Sequence, residues 1–126
     1  MTSVQKVSVG IGPLSIEEVV AVARYGAEVV IDAAAVEEIG RTRTRIEELA
    51  ADPTPVYGVS TGFGALATRH IPEDRREQLQ VSLVRSHAAG SGPEVEEEVV
   101  RAMMLLRLST LCTGRPGVRP VVAATY

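Results

Sequence analysis

Tyr57-Gly58-Val59-Ser60-Thr61-Gly62-Phe63-Gly64 places a phenol on a glycine-rich loop, and Ser86-His87-Ala88-Ala89-Gly90 places an imidazole just after a helix further along the chain. A phenol has a reference pKa of about 10, so it acts as acid or base at neutral pH only where a neighbour or a developing charge assists it. Its structural alternative is a half-buried tyrosine anchoring a turn. Gly58, Gly62 and Gly64 remove β-carbons from the loop. That permits positive φ and lets backbone approach a ligand closely. The loop lacks both the Gly-Lys-Ser/Thr ending of a phosphate loop and the G-x-G-x-x-G pattern of a dinucleotide site. His87 precedes small residues that leave room around an imidazole. It is suited to hydrogen-bonding a polar ligand or orienting another side chain, and equally to closing a helix end.

Other reactive side chains point elsewhere. Glu94, Glu96, Glu97 and Glu98 crowd a helix N-terminus, where carboxylates complement the dipole and face solvent. With no histidine at helical spacing beside them, they are not read as a metal site. Cys112 is the single cysteine and sits in an apolar stretch, which reads as packing. His70 reads as an exposed loop residue, and no serine is read as a nucleophile.

The elements that must position the loop and the histidine are mainly helical. Residues 6–9 and Glu28–Ile31 are β-prone and are expected to pair. Between them Leu14-Ser15-Ile16-Glu17-Glu18-Val19 carries a capping box, Ser15 with Glu18, and a hydrophobic staple, Leu14 with Val19. Ile16, Val19, Val20 and Ala23 then share a face, and Tyr25-Gly26 stops the helix. Asp32 is placed to cap a second helix to about Ala50, which Asp52-Pro53-Thr54-Pro55 breaks. The tyrosine loop spans 57–70. A helix over 72–86 begins near Pro72, and another over 93–113 follows Ser91-Gly92-Pro93. It carries the stripes Val95, Val99, Met103, Leu106 and Val100, Met104, Leu108, Leu111, and its second half is apolar nearly all round. Such a helix calls for burial on more than one side, against further polypeptide or another subunit. Residues 114–126 read as a truncated tail.

Bulk properties narrow the class. The chain has 126 residues, enough for one modest core, and is 45% hydrophobic but only 3% aromatic with no Trp. A net charge of −3 offers no basic surface for nucleic acid or anionic membrane. No apolar run approaches the roughly 20 residues of a membrane span. Residues 1–6 show no apolar h-region, so a reducing, cytoplasmic setting is expected.

Four motifs occur in order: the loop 57–64, Gln78-Leu79-Gln80, Ser86-His87-Ala88-Ala89-Gly90, and Gly114-Arg115-Pro116-Gly117-Val118-Arg119-Pro120. From about Ser8 onward the chain resembles the N-terminal part of the histidine and aromatic amino acid ammonia-lyases. The resemblance implies the helical N-terminal segment of the fumarase/aspartase-like ammonia-lyase fold, with a short two-stranded β-pair and the glycine-rich tyrosine loop. It implies elimination of ammonia from histidine to urocanate, or from tyrosine or phenylalanine to a cinnamate; related aminomutases move the amino group instead. Tyr57 matches the tyrosine that removes the β-proton, and His87 matches the histidine that contacts the substrate side chain. Gly62 and Gly64 match the part of the loop that closes over the substrate.

The family electrophile is 4-methylideneimidazol-5-one (MIO), built from Ala-Ser-Gly, with no metal. Residues 1–126 contain no such tripeptide; Ala89-Gly90-Ser91-Gly92 has another order, and Ser60 stands where the family commonly has Asn. The resemblance therefore implies an N-terminal piece of a homotetrameric enzyme, inactive alone and partnered by its C-terminal portion or by its own copies. The other reading is a free-standing binding or regulatory module.

Overall fold

The computed structural model describes residues 5–126. Most of the N-terminal stretch read above as carrying no secretory signal lies outside the described residues. Two compact units are formed, one from the chain up to Arg45 together with Glu94–Tyr126, the other from Ile46–Pro93.

In the first unit the chain runs β1 (Lys6–Val9), α1 (Ile16–Tyr25), β2 (Glu28–Ile31) and into α2 (Ala33–Ala51), then α4 (Glu97–Cys112) and α5 (Pro120–Thr125). The strands pair in parallel, Lys6 opposite Glu28 through Val9 opposite Ile31. Parallel strands need a crossover, which α1 supplies. The alternation of β1 sends Val7 and Val9 inward, each contributing roughly 1.5–3 kcal/mol of burial.

The capping box of α1 forms as the sequence indicates: Glu18 N–H donates to the Ser15 hydroxyl at 3.2 Å, and Ser15 N–H donates to the Glu18 carboxylate at 2.7 Å. Gly26, at φ 67°, ends the helix in the left-handed conformation. The inward face is shifted from the expected one. Ala21, Val22 and Ala23 are buried, whereas Ile16, the first residue of the helix, is 78% exposed. Asp32 joins the two ends of the β-pair. Its N–H donates to Val9 O at 3.0 Å, its carbonyl accepts from Ala35 and Val36, and its carboxylate accepts the Ser8 hydroxyl.

Helix α4 is shorter than the expected span 93–113. Glu96 keeps an extended ψ of 136°, so the first helical residue is Glu97. Leu105, Leu108, Leu111 and Cys112 are buried beside Val7, Val9 and Ile39. The other side of the same helix is bare within the chain: Val99, Met103 and Leu106 are 48%, 62% and 52% exposed. The expected tail contains the short helix α5, with Pro120 at its first position and Ala123 buried.

The second unit holds the last turns of α2, a loop with a 3₁₀ turn at Gly64–Leu66, and α3 (Glu73–His87). Pro72 is the residue before α3, with an extended ψ of 146°, rather than its first turn. The Arg76 guanidinium donates to Ile71 O at 3.1 Å and to Ala50 O at 2.8 Å, tying α3 to the end of α2. No helix among the described residues is long and apolar enough to cross a membrane.

Candidate functional site

The tyrosine loop is a projecting tip on a buried polar base. Val56 O accepts the N–H groups of Val59 and Ser60 at 3.1 and 3.0 Å, folding the chain tightly around Tyr57. Two side chains from the base reach back toward that turn. The Ser60 hydroxyl accepts the Val56 N–H at 2.9 Å, and the Thr61 hydroxyl accepts the Gly58 N–H at 3.3 Å while donating to Gly62 O at 3.0 Å. Ser60 and Thr61 are 1% and 3% exposed, and both side-chain hydroxyls are partnered. Residues 69–71 close the base: Gly62 N–H donates to Arg69 O at 3.1 Å and Ile71 N–H donates to Ser60 O at 2.9 Å.

Tyr57 itself is 65% exposed, so it is not the half-buried anchor that a structural role predicts. Its ring meets Phe63 edge-on, centroids 6.2 Å apart at 81°, a favoured aromatic geometry. Phe63 thus contacts a ring that belongs to a largely exposed residue.

The two glycines assigned to the site differ in their local reasons. Gly62 is buried, and a β-carbon there would stand 3.0 Å from Leu66 O. Gly64 has open space around it but a φ of 54°, which L side chains rarely adopt.

His87 is the last residue of α3 rather than a residue beyond it. Its Nδ1 lies 2.9 Å from Leu83 O and 2.9 Å from the Ser86 hydroxyl. A carbonyl only accepts, so Nδ1 carries the proton and donates to Leu83. In the neutral ring with the proton on Nδ1, Nε2 holds the lone pair, and the residue is exposed. The side-chain hydrogen bonds of His87 stay within α3, and those of the Tyr57 loop stay within the loop. Among the described residues no three His, Cys, Asp or Glu stand together as metal ligands.

The sequence profile of the aromatic amino acid lyases matches residues 14–126. The chain belongs to that family. It is 60% identical over 119 residues to the histidine ammonia-lyase of Streptomyces griseus, an alignment covering 94% of this chain and 23% of that enzyme. The tyrosine aminomutase of Streptomyces globisporus superposes with a TM-score of 0.88 at 36% identity, covering 94% of this chain and 23% of that one. The ergothionase of Treponema denticola, an ergothioneine-degrading enzyme, superposes with a TM-score of 0.91 at 32% identity, over 96% and 24%. The chain thus spans about a quarter of the length of the lyase-family proteins it matches.

The expectation that the chain holds no nucleophile elbow needs correction at this loop. Gly58-Val59-Ser60-Thr61-Gly62 has the G-x-S-x-G spacing of a nucleophile elbow. The fold removes that reading: Ser60 lies on no strand-to-helix turn, is buried, and spends its hydroxyl on Val56 N–H. Ser60 and Thr61 are the residues that sequence reasoning missed as parts of the site. Their signal was small hydroxyl residues between glycines, flanking a tyrosine.

Proposed function

We propose that this chain supplies the acid/base tyrosine and a substrate-contacting histidine to an enzyme that eliminates ammonia from an α-amino acid, histidine giving urocanate. The observation that carries the reading is the 60% identity to a histidine ammonia-lyase across 94% of the chain, a span that includes Tyr57 and His87.

The overall change removes a proton from Cβ and the amino group from Cα, leaving a Cα=Cβ double bond and free ammonia. Tyr57 is the group that takes the β-proton, from an exposed loop tip on a buried, hydrogen-bonded base. Placed acid–base groups of this kind contribute about 10²–10⁴ in rate. His87 offers its Nε2 lone pair to an N–H or O–H of the substrate side chain. Gly64, exposed and with open space at its β-carbon position, leaves the loop bare toward a ligand, while Gly62 lets the base of the loop pack against Leu66. The family's MIO group, when present, supplies an electrophile that activates the amino group for departure. Residues 1–126 hold no Ala-Ser-Gly from which to build it, so the chain alone is inactive. The rest of the enzyme, whether further polypeptide or other copies in a homotetramer, covers the bare side of α4.

A second reading, tyrosine aminomutase, rests on the Streptomyces globisporus structure at 36% identity. The test is a chimera in which this chain replaces its matching 119 residues of the Streptomyces griseus enzyme. Urocanate absorbance should rise with histidine, and Tyr57→Phe should slow it at least about 100-fold. A folded chimera indifferent to Tyr57→Phe would overturn the role of Tyr57, and β-tyrosine formed in place of urocanate would favour the aminomutase.

A further inference from the structure

We propose that the hydroxyls of Ser60 and Thr61 are the positioning groups of Tyr57, a pair of clamps that fix the peptide on each side of the phenol-bearing residue. The inference rests on the acid/base reading of Tyr57 for its functional meaning, but its geometry is independent of that reading.

Val56 and Gly58 are the immediate neighbours of Tyr57. Each has its N–H held by a different side chain from the same buried base, Val56 by Ser60 Oγ at 2.9 Å and Gly58 by Thr61 Oγ1 at 3.3 Å. The Ser60 clamp is reciprocal: Val56 O also accepts Ser60 N–H at 3.0 Å, so the two residues close a ring around Tyr57-Gly58-Val59. Thr61 extends the chain of donors by giving its own proton to Gly62 O at 3.0 Å. Both hydroxyls are almost fully buried, which shields these bonds from competing water. The base itself is pinned to residues 69–71 through Ser60 O and Gly62 N–H.

The consequence is a division of labour within one loop. An exposed phenol needs a defined direction to meet a β-proton, since a misplacement of about 1 Å costs on the order of 100-fold in rate. An exposed side chain on a glycine-flanked tip has no packing to supply that direction, apart from the single Phe63 edge contact. The two hydroxyls supply it through the backbone. Ser60 is thereby a positioning residue, its hydroxyl held by the Val56 N–H.

The experiment uses the full chain and solution NMR. In Ser60→Ala the Val56 amide should exchange with solvent on the order of tenfold faster, and in Thr61→Val the Gly58 amide should do the same, as expected for loss of one hydrogen bond. Each variant should also weaken the cross-peaks between the Tyr57 and Phe63 rings, while β1 and β2 amides keep their protection. Thr61→Ser, which retains the hydroxyl, should restore both signals. Thr61→Val is nearly isosteric, so it reports even if Ser60→Ala unfolds. Unchanged Tyr57–Phe63 cross-peaks in Thr61→Val, or accelerated exchange spread evenly over β1 and β2, overturns the proposal. A chimeric enzyme indifferent to Tyr57→Phe would defeat the acid/base reading and leave these NMR outcomes as they are.

Discussion

A β-carbon placed on Gly62 would stand 2.5 Å from the β-carbon of Leu66. That separation is far inside van der Waals contact, and Leu66 O adds a second obstruction on rigid backbone at 3.0 Å. The buried base of the tyrosine loop and the 3₁₀ turn after it are therefore built against each other with no room for a methyl group.

Gly62→Ala should destabilise the second unit by about 1–3 kcal/mol through overpacking. Gly64→Ala meets no atom but must hold φ near 54°, and should cost about 1–2 kcal/mol from backbone strain alone. Gly12→Ala, with nothing within 4 Å and no positive φ, should stay within about 0.5 kcal/mol of the parent. Urea unfolding followed by amide exchange of the loop checks all three. Equal midpoints for Gly62→Ala and Gly12→Ala would defeat the packing argument.

Ser15→Ala should weaken α1 by about 0.5–2 kcal/mol, the usual worth of an N-cap. The same cap carries a pH dependence. The Ser15 backbone N–H, and after it the Ser15 hydroxyl, hold the Glu18 carboxyl below its ordinary value of 4.5. Its contribution is therefore present above pH 4.5 and is lost as pH falls through the lower folded value. Unfolding midpoints between pH 3 and 6 should slope less in Glu18→Gln than in the parent; matching slopes would count against the cap.

Cys112 is 0% exposed in the core. Burial first, and the Asp32 carboxylate second, push its thiol above the ordinary value of 9.0. The unfolded chain then ionises before the folded one. The stability this supplies is full below pH 9 and declines as pH rises through the raised value. Disulfide reagents should leave the native chain unlabelled at pH 8 and label it in urea. Prompt labelling without denaturant would show that the site opens.

The two sides of α4 should respond differently. Leu111→Ala, at 1% exposure, should cost about 2–5 kcal/mol. Met103 and Leu106 on the bare side should matter to association instead, since an apolar stripe left in water favours self-association. Light scattering should show the chain associating, and a Met103→Glu, Leu106→Glu double variant should be monomeric. A monomeric parent chain would remove this expectation.

The helix starts and stops that rest on local chemistry were legible in the sequence. Ser15 and Glu18 form their box, and Gly26 caps α1 in the left-handed conformation, because those bonds join residues within one turn. The tyrosine loop and His87 stood out through residue types and order, which a family match then met. The start of α4 was misplaced because Gly92-Pro93 signals a break without saying how many extended residues follow it. His87 was put beyond α3 because one residue of helix end is set by fraying and packing that spacing does not encode.

The sequence by itself determined where the elements begin in outline, which residues could do chemistry, and the family that their order specifies. Those features depend on near neighbours: caps, proline and glycine backbone limits, and short motifs. Only the tertiary structure decided that β1 and β2 run parallel, that Leu105, Leu108 and Leu111 face inward while Met103 and Leu106 do not, and that Ser60 serves as a buried acceptor. Each of these depends on which surfaces meet in three dimensions. A hydroxyl between two glycines has no fixed use until the fold brings the Val56 N–H to it.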